Sequence, residues 1–180
     1  RDLNPFRHIV DRWFYRLALA GLHRAHALVA ISAWTRRTLR DALGIPLERV
    51  YVVYPALDHD KFRPMAVPDK FRLRYGLDAE TQYILCVGSD DPRKNLSTLL
   101  KAFASLKRRV SHVKLLKVGK PYFVEARKRL LMLIETLGIQ NDVVFFDYVA
   151  DDVLPLFYNV ADVLAFPSLY EGFGLPLVEA

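Results

Sequence analysis

Two glutamates bracket a glycine turn near the end of the chain, in Glu171-Gly-Phe-Gly-Leu-Pro-Leu-Val-Glu179. Gly172 and Gly174 allow a tight turn with exposed backbone amides. Pro176 suits a first helical turn, where its missing N–H costs nothing. A helix start offers unpaired N–H groups and a partial positive charge, and so holds an anion such as phosphate. Glu171 then sits on the turn, with Glu179 about one helical turn in. Carboxylates beside an anion hole fit a ligand that also carries hydroxyls. A sugar nucleotide combines the diphosphate, the ribose diol and the sugar hydroxyls. A second stretch, Gly88-Ser89-Asp90-Asp91-Pro92-Arg93-Lys94-Asn95, reads as a strand-to-helix turn with two adjacent cations at the helix start. Cations there oppose the helix dipole, and an anionic ligand shared with the other helix start relieves the conflict. Arginine meets phosphate with a fork of donors and lysine with a point charge.

The elements that must carry these loops alternate in period. Strands are expected at Tyr83 to Val87, Val113 to Val118, Val143 to Phe146 and Val163 to Phe166, the last within the apolar run Asp162 to Pro167. Helices are expected at Asn95 to Arg109, Phe123 to Leu137 and Asp151 to Val160, with Pro155 in the last one's first turn. This alternation predicts an α/β fold, a Rossmann-like parallel sheet with helices on both faces. Ligands bind such sheets beyond the carboxyl ends of the strands, where Gly88, Gly119, Tyr148 and Glu171 all fall. Earlier in the chain, Ala27 to Ser32 reads as a buried strand, Ser32 as the N-cap of a helix Ala33 to Leu43 ended by Gly44, and Val50 to Tyr54 as a strand. Residues 56–69, with prolines and mixed charge, read as a linker, followed by a short helix Lys70 to Tyr75 closed by Gly76. Phe6 to Ala20 is an amphipathic helix with a basic edge of Arg7, Arg12, Arg16 and, just beyond, Arg24. Packing against a further domain is favoured for it over resting on a membrane surface.

Composition narrows the class. The 180 residues are 52% hydrophobic, enough for a core, and the net charge of +6 is spread rather than gathered on an aromatic-interleaved platform. Solvated helix faces are therefore favoured over nucleic-acid binding. The single cysteine, Cys86, excludes an internal disulfide. No apolar stretch reaches the roughly 18–20 residues of a membrane span. His23 and His26 have a helical spacing that can bind metal, but no cysteine or carboxylate cluster accompanies them, so no metal site is expected. Arg1 at the start, and a stop at Ala180 inside a helix barely begun, predict a piece of a longer protein.

EGFGLPLVE resembles the E-x7-E motif of the retaining glycosyltransferases of family 4, which have the two-domain GT-B fold. VGS-x-x-PRKN is similar to that family's diphosphate-binding loop, with Lys94 at the usual lysine. Many members carry an arginine directly after the glycine, where this chain has Ser89, and Arg93 is expected to supply that charge. Ser32, Thr35, Pro55, Asp58, Phe62 and Pro64 match the end of the family's N-terminal domain, although Ala56-Leu57 replaces a frequent Asn-Gly. The resemblance implies residues 1–55 as the end of the N-terminal acceptor domain, 56–77 as interdomain linker and short helix, and 78–180 as a truncated nucleotide-sugar-binding domain. It implies catalytic roles for Glu171, Lys94 and Arg93. Donor binding falls to Gly88, Ser89, Arg93, Lys94, Tyr148, Val149, Phe173, Gly174, Leu175 and Glu179. Tyr148 is either a base-stacking ring or an ordinary surface tyrosine.

The implied reaction is retaining, metal-independent transfer of a hexose from a GDP- or UDP-linked donor, with no further cofactor. The PRKN form is similar to bacterial mannosyl- and rhamnosyltransferases of surface-polysaccharide assembly and so points to mannose. The acceptor is a glycan or lipid-linked sugar, and the implied place is the cytoplasm, at the inner membrane face. The 180 residues alone are expected to bind donor weakly and to transfer nothing. Competing readings are another sugar-nucleotide enzyme of the same fold and a nucleotide-binding module without transfer activity.

Overall fold

The computed structural model describes residues 9–121 and 123–180, with side chains from Trp13 onward. The chain divides into two compact units: the described part of Arg1–Ala56 together with Glu171–Gly174, and Leu57–Tyr170 together with Leu175–Ala180.

The first unit is built on two short parallel strands, β1 (Leu28–Ala30) and β2 (Val50–Val52). They are preceded by helix α1 (Ile9–Arg24) and separated by α2 (Ala33–Leu43). Phe6 and Arg7 of the expected first helix lie outside the described residues, and α1 runs on to Arg24, past the expected end at Ala20. Ser32 caps α2 as its hydroxyl accepts the Thr35 amide at 3.0 Å, and Gly44 closes it in a left-handed conformation. The core is small: Ala30, Ile45 and Val50, with Leu22, Leu28, Leu39 and Leu43 around them. The expected buried strand Ala27 to Ser32 is corrected on two counts. It spans only Leu28–Ala30, and Val29 is 67% exposed, because α2 covers one face of the pair and alternate side chains point away from it. Both tryptophans of the chain, Trp13 and Trp34, belong to this unit and are 58% and 55% exposed.

The second unit is a four-stranded parallel sheet in the order β5-β4-β3-β6, from β3 (Gln82–Val87), β4 (Val113–Val118), β5 (Val143–Phe146) and β6 (Val163–Leu164). Helices α4 (Leu96–Lys107) and α5 (Val124–Leu137) cover one face, where Leu100, Phe103, Leu130 and Ile134 meet Cys86, Leu115 and Val143. Helices α3 (Asp69–Tyr75) and α6 (Leu154–Val160) cover the other, where Phe71 and Phe157 meet Tyr83, Leu85, Leu116 and Val118. The alternation within β3 and β4 thus splits one apolar run between two cores, as a sheet covered on both sides requires. Phe71, Tyr75 and Phe146 surround the fully buried Phe157 with ring centroids 5.2, 5.0 and 4.9 Å from it. Such aromatic pairs add about 0.5–1.5 kcal/mol each beyond their buried area.

The expected strand Val163 to Phe166 is shorter than its apolar run. Only Val163 and Leu164 pair with β3, although the Ala165 amide still donates to Leu85 O at 2.7 Å. As the sheet's edge strand it has one neighbour, and Val163 is 56% exposed. Cys86, inside β3, is buried, and that burial pushes its thiol up from 9.0 to about 11. The folded value lies above the unfolded one. The stability this thiol supports is therefore complete below pH 9.0 and is lost as pH climbs through about 11. A thiol reagent at pH 8 is expected to label Cys86 orders of magnitude faster in unfolding urea than in buffer. Rapid stoichiometric labelling of the folded chain would contradict its place in the core.

Candidate functional site

Within the second unit the strand order reverses at β3: the chain steps to one side for β4 and β5, then to the other for β6. A parallel sheet opens a crevice at such a reversal, beyond the carboxyl ends of the strands. Gly88 follows β3 there, and residues 165–169 follow β6. The loop from Gly88 to Asn95 is tied to that second segment. Asn95 Nδ2 donates to Pro167 O at 3.2 Å, and the Leu169 amide donates to Arg93 O at 2.8 Å.

Lys94 owes its position to a missing side chain. Gly88 has φ +141°, and a Cβ added to it would lie 3.3 Å from Lys94 Cε and 3.5 Å from Nζ. The lysine therefore lies across bare backbone at the end of β3, its ammonium 5.9 Å from the centre of the Phe166 ring. Gly119, at the end of β4, packs closer still: a Cβ there would stand 2.3 Å from Gly88 O. Ser89, partly buried, follows in the loop.

Arg93 and Lys94 do not occupy the first turn of a helix. They sit in a 3-10 turn, Pro92–Lys94, followed by Asn95 at φ +53° and only then by α4. Asn95 takes the left-handed conformation open to asparagine. Its Oδ1 accepts Thr98 Oγ1 at 2.7 Å while its amide reaches Pro167, so the expected helix start at Asn95 and its dipole conflict are corrected. Asp91 organises the turn: its carboxylate accepts the Arg93 amide at 2.8 Å and the guanidinium at 3.1 and 3.0 Å. Burial works to raise the Asp91 pKa, but the Arg93 bonds and the Lys94 charge together hold it below 3.8.

A buried ionic network supports this loop from behind. Asp90 is fully buried between Lys117 Nζ at 2.6 Å, from β4, and Arg127 Nε at 2.5 Å, from α5. Arg127 Nη2 also reaches Asp147 Oδ1 at 2.8 Å, and its guanidinium lies 4.2 Å from the centre of the Phe145 ring. Lys117 Nζ donates to Gly119 O at 2.7 Å as well. Burial pushes the Lys117 amine down from 10.5 against the pull of Asp90, whereas for Arg127 the bonds and charges of Asp90 and Asp147 outweigh burial and raise the guanidinium pKa further. The network links the loop after β3 to the turn after β5.

On that turn Tyr148 is 73% exposed, with Lys120 Nζ 5.0 Å from its ring centre, while the Val149 side chain packs into the core shared by α3 and α6. Helix α7 (Leu175–Glu179) begins with the exposed Leu175 and ends with Glu179, whose Oε2 accepts the Tyr158 hydroxyl at 2.5 Å.

The glycine turn itself belongs to the first unit. Gly172 O accepts both the Ser32 hydroxyl, at 2.5 Å, and the Thr35 hydroxyl, at 3.3 Å, which gives the S-x-x-T pair a physical task. The Phe173 ring lies 5.8 Å from Tyr54, Gly174 is buried with φ +93°, and Glu171 is partly buried. The structure thus brings Gly88, Arg93 and Lys94 together at the reversal of strand order. His26 falls beyond the end of α1 at Arg24, so it does not share a helical face with His23. Among the described residues no cluster of metal-ligating side chains occurs, and no helix is long and apolar enough to cross a membrane.

Sequence reasoning missed Asp90, Lys117, Arg127 and Tyr158. Lys117 left a signal, since strand alternation places it on the face of Val113 and Leu115, where a charge needs a partner. For Asp90 and Tyr158 the decisive partners lie on other elements.

The chain matches the family described as glycosyl transferases group 1 over residues 68–180 and that described as glycosyltransferase family 4 over residues 1–61. It is 30% identical over 189 residues to the serotype-specific mannosyltransferase WbdA of Escherichia coli, covering 99% of this chain and 22% of that protein. It is 35% identical over 147 residues to a GDP-mannose-dependent alpha-(1-6)-phosphatidylinositol monomannoside mannosyltransferase of Mycobacterium tuberculosis, covering 81% of this chain and 37% of that protein. The structure of Alr3699/HepE from Anabaena in complex with UDP-glucose superposes with a TM-score of 0.79 at 25% identity, over 92% of this chain and 45% of that one. The chain therefore spans between about a fifth and a half of the length of these proteins. Parallel sheets, helices on both faces of the larger one and these matches agree: the chain belongs to the glycosyl transferases group 1 family.

Proposed function

We propose that the chain supplies the nucleotide-sugar site of a retaining hexosyltransferase that uses a GDP- or UDP-linked sugar, with GDP-mannose favoured. The observation that carries this is the Lys94 ammonium laid across Gly88, at the reversal of strand order where such sheets bind nucleotides. The activities for which the two mannosyltransferase relatives are named support mannose, and UDP-glucose in the superposable structure keeps the base and sugar open. Residues 1–55 belong, in this reading, to the acceptor domain, 56–77 to the linker and 78–180 to the donor domain.

Breaking the bond between the anomeric carbon and the phosphate oxygen builds negative charge on the leaving diphosphate. Lys94 offsets that charge directly. Arg93 adds to it, its guanidinium aimed and partly neutralised by Asp91. The acceptor oxygen bonds to the anomeric carbon on the face the diphosphate leaves, and the acceptor proton passes to a diphosphate oxygen, so the configuration is kept. Glu179 takes the ribose diol, Tyr148 stacks on the base, and the backbone at Val149 meets the base edge. Glu171 takes the hexose hydroxyls, and amides of Phe173, Gly174 and Leu175 meet hydroxyl or phosphate oxygens. The acceptor is a glycan or lipid-linked sugar at the inner membrane face.

In the full-length protein, Lys94→Ala is expected to lower turnover by about 10²–10³-fold, the loss typical of one preorganised charge-stabilising donor. Release of GDP or UDP across a sugar-nucleotide panel measures it and selects the donor. Near-normal turnover would remove Lys94 from this role. Failure of the unaltered chain to bind GDP or UDP in calorimetry would overturn the reading as a whole.

A further inference from the structure

Glu179 lies on α7, and a side chain that must hold a ligand in one orientation gains from a fixed partner. Its support comes from elsewhere in the second unit. The Tyr158 hydroxyl, 21 positions earlier on α6, donates to Oε2 at 2.5 Å. A hydroxyl bonded to a carboxylate at this length is among the stronger hydrogen bonds of a protein. The phenol is itself braced. Phe62 meets its ring edge-on, with centroids 5.9 Å apart. The next residue, Asn159, accepts the Met65 amide at 2.7 Å and donates to Arg63 O at 3.1 Å and Pro155 O at 2.9 Å. Residues 62–65 therefore clamp α6 where Tyr158 leaves it. Burial, reinforced by Glu179, pushes the phenol pKa far up, so the hydroxyl keeps its proton and remains a donor.

We propose that Tyr158 is a positioning residue that locks the Glu179 carboxylate through Oε2 and so presents Oε1 to the vicinal diol of a bound ribose. This rests on Glu179 being the ribose ligand, as proposed above. The mechanism is preorganisation: a carboxylate already restrained by a braced donor loses less rotamer freedom on binding.

The test compares GDP and UDP with their 2′,3′-dideoxy forms by calorimetry, using the unaltered chain, Tyr158→Phe and Glu179→Gln. Phenylalanine keeps the ring against Phe62, and thermal unfolding of each variant confirms that it is folded. The unaltered chain is expected to prefer the ribose form by about 10–100-fold, the range for hydrogen bonds to a charged group. Tyr158→Phe should shrink that preference several-fold while leaving dideoxy affinity unchanged. Two results would overturn the proposal: an unchanged ribose preference in Tyr158→Phe, or equal weakening of both forms, which marks a merely structural role. Glu179→Gln separates the two layers. If it leaves the ribose preference intact, or if the unaltered chain shows none, the ribose role of Glu179 falls and the positioning role with it. If it abolishes the preference and Tyr158→Phe does not change it, only the positioning role falls.

Discussion

Asp90→Ala is expected to destabilise the second unit by about 3–5 kcal/mol, the cost of removing one partner from a buried ion pair. Asp90 is the shared carboxylate of Lys117 and Arg127, and its loss strands a buried ammonium beside a partly buried guanidinium. Against a total domain stability of about 5–15 kcal/mol, the change is large. Urea titration followed by far-UV circular dichroism measures it. A shift below about 1 kcal/mol would mean that water reaches the pair. The second half of the argument is a rescue. Adding Lys117→Met to Asp90→Ala removes the stranded charge and restores packing, so the double variant is expected to be more stable than Asp90→Ala alone. The pH dependence carries its own sign. Lys117 already titrates below 10.5 in the fold, so the unfolded chain binds its proton more readily, and stability rises with pH from the lowered value up to 10.5. Without Asp90 that rise starts nearer neutral pH, and Lys117→Met abolishes it.

Gly119→Ala is the other large effect. Its backbone has φ +128°, a conformation that side chains rarely adopt and that costs about 1–3 kcal/mol when forced. The added Cβ would also stand 2.3 Å from Gly88 O and 2.7 Å from Gly88 C, so two strand ends must part rather than one flexible side chain. Overpacking of this kind adds about 1–3 kcal/mol. Gly88→Ala is the instructive contrast: at φ +141° it shares the backbone strain, but the atoms nearest its new Cβ belong to the flexible Lys94 side chain, 3.3 Å or more away, rather than to backbone. Gly119→Ala is therefore expected to fall below Gly88→Ala in thermal midpoint, while Gly88→Ala weakens GDP or UDP affinity through the displaced ammonium. Equal midpoints would show that the β3 and β4 ends yield easily.

What could be read beforehand was local. Ser32 and Gly44 bound α2 because a cap bond and a left-handed closing residue depend on neighbours within one turn. The VKLLKV run forms β4 over the expected residues, Val113 to Val118. The loop after β3 was visible as a glycine followed five residues later by paired cations. Its shape was not. Asn95 is left-handed because Pro167, 72 residues away, accepts its amide. The apolar run from Asp162 to Pro167 promised a longer strand than β6, which has a neighbour on one side only. Nothing local to Asp90 marks it as buried, and only the packing of β4 and α5 brings Lys117 and Arg127 onto it.

Both indoles, at positions 13 and 34, sit in the first unit. Intrinsic tryptophan emission therefore reports on that unit alone, while the dichroism of helices sums both. Emission that holds steady while ellipticity falls would be the spectroscopic mark of a lesion at Asp90 or Gly119. A single unfolding midpoint for the chain has meaning only where the two signals coincide.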